Sequence, residues 1–72
     1  MCDQAELASY KYFANLYKNN IEIEESLYQL CLKSNSQDQC QGYKESIDRN
    51  KQAYYYIKQN VERASQKCSK SS

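Results

Sequence analysis

The second half of the chain carries a regular apolar pattern, with steps of three and four residues alternating without a miss. This is the heptad pattern of a coiled coil, in which such residues line one narrow face of a helix. It predicts a helix from about residue 37 to 67. Its apolar face, called here the cysteine seam, comprises Cys40, Tyr43, Ile47, Asn50, Tyr54, Ile57, Val61, Ala64 and Cys68.

The first half carries two such patterns side by side, and they predict a helix from about residue 4 to 33. The Phe13 stripe comprises Phe13, Leu16, Asn20, Ile23, Leu27 and Leu30. The Leu7 stripe comprises Leu7, Tyr10, Ala14, Tyr17, Ile21 and Tyr28, with Glu24 as a polar interruption. Because helix 2 has a single seam, it can cover only one stripe. We expect it to cover the Phe13 stripe.

A polar segment separates the two helices and predicts a loop at about residues 34–36. Each helix is preceded by a capping side chain three residues before a Glu or Gln, namely Asp3 before Glu6 and Ser36 before Gln39. The chain has no proline and one glycine, so little interrupts the helices. Residues 1–72 are therefore predicted to form one domain, an all-α antiparallel two-helix hairpin resembling a coiled coil.

The cysteine spacing leaves one disulfide pattern for such a hairpin. Bonding Cys2 to Cys31 and Cys40 to Cys68 would join opposite ends of helices roughly 43 Å long, far beyond the roughly 7 Å Cα separation of a disulfide. Bonding Cys2 to Cys40 and Cys31 to Cys68 requires parallel helices, and the intervening segment spans at most roughly 28 Å. The remaining pattern nests Cys31–Cys40 inside Cys2–Cys68.

These two bonds also set a register, because the numbers of the paired residues add to 71 and 70. The register places Ile23 opposite Ile47 and Leu16 opposite Tyr54 on the predicted seam. It also places Asn20 opposite Asn50. A pair of buried amides would fix the register of the helices, whereas the alternative is that both side chains turn to solvent.

Composition argues against several functional classes. A net charge of +1 gives no field that would attract nucleic acid. The four cysteines lack the close pairs of zinc sites, there is no histidine, and there is no C-x-x-C redox motif. Acidic residues such as Glu22 and Glu25 belong to a solvated helix face. We therefore predict no catalytic residues, no metal, no cofactor and no enzymatic activity.

Paired cysteines in so short a chain favour an oxidising compartment, either the periplasm or the extracellular space. No apolar run is long enough to span a membrane, and any export signal is expected to have been removed. A lipid anchor at Cys2 is an alternative, but it would leave an odd number of cysteines.

The nested disulfides resemble those of the mitochondrial intermembrane-space hairpins with twin C-x9-C motifs. The resemblance covers the architecture alone, because this chain reads C-x28-C-x8-C-x27-C. The intermembrane space is the alternative compartment, because the paired cysteines also fit an oxidising setting of that kind.

The functional prediction is binding to a protein partner. The uncovered Leu7 stripe is the expected binding face, together with Tyr55 and Tyr56, which point away from the seam; tyrosine and arginine are enriched at protein interfaces. A plainer interpretation is that a two-helix unit simply leaves apolar residues exposed.

Three functional hypotheses follow from a protein-binding role. The first is a protein that blocks one partner, as inhibitors, immunity proteins and exclusion factors do. The second is a structural subunit that homodimerises into a four-helix bundle. The third and least favoured is a secreted toxin-like or signalling peptide.

Overall fold

The computed structural model describes residues 2–70 and consists of two long α-helices packed against each other. Helix α1 spans Gln4–Ser34, a 3₁₀ turn spans Asp38–Cys40, and helix α2 spans Gln41–Lys70. The helices run antiparallel in a rod 55 Å long and 14 Å by 13 Å across. The described residues include no strand. The prediction of an all-α two-helix hairpin is confirmed.

The residues that flank helix α1 form hydrogen bonds with backbone groups in its first and last turns. Asp3 has an extended backbone, and its carboxylate accepts a hydrogen bond from the N–H of Glu6 at 3.1 Å. This is the N-cap expected for an aspartate at that position. At the other end, the backbone N–H and the side-chain amide of Asn35 both donate to the carbonyl of Cys31, at 2.9 and 3.1 Å.

The second helical segment begins with a reciprocal capping box. The N–H of Ser36 donates to the side-chain oxygen of Gln39 at 2.9 Å, and the N–H of Gln39 donates to the Ser36 hydroxyl at 3.4 Å. The first turn is 3₁₀ rather than α-helical, a common form at helix ends. The α-helical bounds are therefore residues 41–70, whereas the sequence predicted about 37–67.

Both predicted disulfides are present and pair all four cysteines. Cys31 and Cys40 join the helices at the loop end, with Cα atoms 5.9 Å apart. Cys2 and Cys68 join them at the open end, with Cα atoms 4.4 Å apart. The hairpin is thus closed at both ends.

The predicted facing of α1 is wrong, because the Leu7 stripe packs against α2 and the Phe13 stripe does not. Leu7 and Ile21 are each only 8% exposed, and the rest of the Leu7 stripe is half-buried. Together with Cys40 and Ile47 they form the buried core of the described residues. By contrast, every member of the Phe13 stripe is exposed, and Ile23 reaches 58%.

The inner disulfide explains this choice of face. Steps of three and four residues lead from Cys31 back through Tyr28, Glu24 and Ile21 to the rest of the Leu7 stripe. Cys31 must face α2 to bond Cys40, and the residues in register with it along the helix face α2 as well. Leu30, the last member of the Phe13 stripe, lies one residue away and therefore about 100° around the helix.

The predicted pairing of Asn20 with Asn50 is also wrong. Asn20 lies on the exposed stripe, whereas Asn50 is half-buried and its amide donates a hydrogen bond to the carboxylate of Glu24. Glu24 is the position that interrupts the Leu7 stripe. A polar residue on each helix therefore satisfies the other within the interface, which removes the cost of leaving either one unpaired.

The two disulfides should contribute unequally to stability. The outer bond links residues 66 apart in sequence and the inner bond residues 9 apart. In the loop-entropy model, these separations correspond to about 4 and about 3 kcal/mol respectively. We predict that replacing Cys2 and Cys68 by Ser lowers the free energy of unfolding more than replacing Cys31 and Cys40 by Ser. Urea unfolding followed by circular dichroism measures both, and a larger loss for the inner pair would contradict the model.

Candidate partner-binding face

The residues predicted to bind a partner through the Leu7 stripe are occupied within the hairpin. Leu7, Tyr10, Ala14, Tyr17, Ile21 and Tyr28 lie along the α1 face that packs on α2, all buried or half-buried. Helix α2 covers this face along its length. The prediction that the Leu7 stripe is an uncovered surface is therefore wrong.

The Phe13 stripe takes its place as the exposed apolar surface of α1. Phe13, Leu16, Ile23, Leu27 and Leu30 are each more than two-fifths exposed. The ring of Tyr12 meets the Phe13 ring edge-to-face, with ring centroids 5.5 Å apart, and extends the aromatic surface at one end. A row of large apolar side chains in water is typical of an interaction surface.

Grooves between the helices establish which broad side of the hairpin carries this stripe. One groove is lined by Glu6 and Tyr10 from α1 and by Asn60, Arg63 and Lys67 from α2. In helices that coil about each other, residues seven apart lie on the same side. Phe13 lies seven residues after Glu6 and is therefore on this side of the hairpin. The α2 residues that are separated from Asn60 by multiples of seven lie on the same side.

The part of this side contributed by α2 consists of small, aromatic and basic residues. Ser46 and Ala53 precede Asn60 by multiples of seven and are half-buried beside α1. Arg49 and Tyr56 precede Arg63 in the same way and lie further out, with Tyr56 67% exposed. We call this broad side, made of the Phe13 stripe and these α2 residues together with Gly42, the apolar face.

The opposite broad side is charged. Its grooves are lined by Lys18 and Glu25 of α1 with Lys51 of α2, and by Lys11 with Lys58. The Lys58 ammonium lies 5.7 Å from the centre of the Tyr54 ring, within reach of a cation–π interaction. Tyr55 lines a groove on this side and is exposed. Tyr55 and Tyr56 both point away from the seam as expected, but they belong to opposite faces.

The hydroxyl of Tyr10 lies beside the carboxylate of Glu6. A hydrogen bond to the Glu6 carboxylate and the negative charge of that group raise the pKa of the Tyr10 hydroxyl above 10.0, with smaller contributions from desolvation and from Tyr56. An acceptor carboxylate opposes formation of a phenolate beside it. A tyrosine hydroxyl is protonated at neutral pH, and the raised pKa extends this form further into the alkaline range, so Tyr10 is a hydrogen-bond donor at the open end of the hairpin.

Metal and membrane sites are not found in the part of the chain that the structure describes. No three acidic, histidine or cysteine side chains among residues 2–70 are grouped so that they could hold a metal ion. Neither described helix is long and apolar enough to cross a membrane. Comparison with protein-family models, with curated proteins and with solved structures yields no match to this chain.

Two neighbouring isoleucines test which face of α1 is interior. Ile21→Ala removes a side chain that is 8% exposed, whereas Ile23→Ala removes one that is 58% exposed. We predict a loss of about 2 kcal/mol in the free energy of unfolding for Ile21→Ala and less than about 0.5 kcal/mol for Ile23→Ala. Urea unfolding at concentrations where the chain is monomeric measures both. Equal losses, or a greater loss at Ile23, would restore the facing predicted from the sequence.

The polar pair inside the interface gives a second test. Asn50→Asp places a carboxylate against that of Glu24, and we expect a loss of about 1–3 kcal/mol at neutral pH, because a donor has become a like charge. Adding Glu24→Gln should recover most of this loss, since the new amide donates to the new carboxylate. The double variant is the control, and a failure to recover stability would show that the two side chains do not meet.

Proposed function

We propose that this chain is a non-enzymatic protein-binding module that associates with its partner through the apolar face. The observation that carries the proposal is the exposure of five large apolar side chains on one side of α1: Phe13, Leu16, Ile23, Leu27 and Leu30. Helix α2 already covers the other stripe, so this surface is not used to hold the hairpin together.

The surroundings of the stripe support association with protein. Arg49, Tyr56 and Arg63 form a row on the α2 part of the same face. Arginine and tyrosine are enriched where partners meet, and they often contribute much of the binding energy. The rigid hairpin also presents these groups without a large loss of backbone entropy on binding.

The grooves between the described helices favour a binding role over a catalytic one. The grooves between the helices are lined by long charged side chains at the surface, without a nucleophile paired to a base. The four sulfur atoms are bonded in disulfides and supply no thiolate. A binding role accounts for these features better than an enzymatic one.

The two disulfides fit an oxidising compartment outside the reducing cytosol. A periplasmic or secreted setting is the specific proposal, with the mitochondrial intermembrane space as its alternative. In this form, the sulfur of Cys2 is bonded to Cys68, which leaves it no thiol to carry a lipid.

Site-specific photo-crosslinking tests the proposal. The photoreactive residue benzoylphenylalanine, placed at position 13 on the apolar face, should yield a defined protein adduct in the cells that make the chain. The same residue at position 55, on the charged face, is the matched control because Tyr55 is also an exposed aromatic residue. Mass spectrometry identifies the adduct as a second copy or another protein. Adducts only from position 55, or none from position 13, would contradict the proposal.

A further inference from the structure

We propose that the occupant of the apolar face is a second copy of this chain, forming a two-fold symmetric four-helix bundle. This inference rests on the proposed function, since it names the partner of the same face. In the dimer, α1 of each copy lies antiparallel on α2 of the other. The argument comes from the size, shape and charge of the side chains on that face.

The first observation is a difference in side-chain size on the apolar face: α1 carries a row of large apolar residues, whereas α2 carries three small residues, with the larger Arg49, Tyr56 and Arg63 between and beyond them. Helix α1 contributes Phe13, Leu16, Ile23, Leu27 and Leu30, whereas α2 contributes Gly42, Ser46 and Ala53. A Cβ atom built at Gly42 would meet nothing within 4 Å, so the space above this part of α2 is open. A face with ridges on one helix and hollows on its neighbour can fit a rotated copy of itself.

The second observation is the register that two-fold symmetry imposes. Within one copy the inner disulfide sets residue i of α1 at the same height along the rod as residue 71 − i of α2. Rotation about a two-fold axis parallel to the helices does not change the height of any residue. Residue i of α1 therefore also lies at the height of residue 71 − i of α2 in the other copy. Leu27 then falls between Gly42 and Ser46 of the second copy. Leu16 falls between Ala53 and Tyr56 of the second copy. Leu27 thus meets two small residues, and Leu16 meets Ala53 beside the exposed ring of Tyr56.

The third observation concerns the polar rows that would border this interface. On α1 the outer row is Tyr12, Asn19, Ser26 and Lys33. The facing row is Gln59, Gln52 and Glu45 of α2, continued by Asp38 of the 3₁₀ turn, and all eight residues are exposed. The same register pairs these rows in the order given. Each pair can form a hydrogen bond, none brings like charges together, and Lys33 meets Asp38 of the second copy with opposite charge.

A symmetric alternative, with α1 packed on α1 and α2 on α2, fits the side chains less well. Centring the Phe13 stripe on the two-fold axis brings Arg49 of each copy level with Arg49 of the other. Two guanidinium groups would then approach each other at the centre of the interface, which is unfavourable.

The size of the face suits a stable dimer. A rod 55 Å long and 14 Å wide offers one side close to the roughly 800 Å² per partner of a standard protein interface. The single hairpin also buries few side chains fully, so a second layer would add the apolar core that a chain of this length lacks. Covering the stripe would remove exposed apolar area from water, the main driving force of association.

Sedimentation equilibrium of the oxidised full chain tests the inference. We expect a dimer mass that dissociates to monomer on dilution from millimolar to nanomolar concentration. Leu27→Lys should raise the dissociation constant by roughly 100-fold, because the change occurs twice in a symmetric dimer and each instance costs at least about a factor of ten. Tyr55→Lys, with the same new charge on the opposite face, is the matched control and should leave the dimer intact.

Gly42→Phe tests the arrangement of the helices. It fills the hollow assigned to Leu27 of the second copy and should also dissociate the dimer, while circular dichroism shows that the open space at Gly42 leaves the hairpin folded. A dimer broken by Leu27→Lys but not by Gly42→Phe would overturn the α1-on-α2 arrangement. A monomer at every concentration would overturn self-association, and crosslinks from position 13 to another protein would then still support a binding role.

Discussion

Cys31 can bond Cys40 only if the side of α1 that carries Cys31 faces α2. This constraint selects the Leu7 stripe as the interior of the hairpin, because its members precede Cys31 at heptad spacing. The outer bond between Cys2 and Cys68 keeps the same antiparallel register at the other end. The buried core, the exposed stripe and the two unlike faces of the hairpin all follow from this orientation.

The interior that results is narrow and is completed by polar groups. Leu7, Ile21 and Ile47 are buried, while the tyrosines around them keep part of each ring in water. Asn50 donates to Glu24, so the polar position of one helix meets that of the other. So small an apolar core leaves much of the stability to the disulfides, which restrict the unfolded chain.

The helices, their caps and the disulfides could be predicted from the sequence, because heptad spacing, capping residues and loop length leave few alternatives. The facing of α1 was predicted wrongly. Apolar character favours the Phe13 stripe, since Glu24 interrupts the other one. The missed signal was Cys31, which lies at heptad spacing to Tyr28 and Ile21 and not to Leu30. The pairing of Glu24 with Asn50 could not be predicted from the register, because these two residues are not directly opposite each other. They are offset by about one turn of helix, and their side chains reach across that offset.

The central claim is that the Leu7 stripe is interior and the Phe13 stripe exterior, which gives the hairpin one exposed apolar face and one charged face. Hydroxyl-radical footprinting of the oxidised chain, diluted until it is monomeric, tests this claim most directly. The account predicts slow modification of Tyr17 and Ile21 and fast modification of Leu16 and Ile23, relative to the reduced, denatured chain. Protection of Leu16 and Ile23 in the monomer, with Tyr17 and Ile21 reactive, would contradict it.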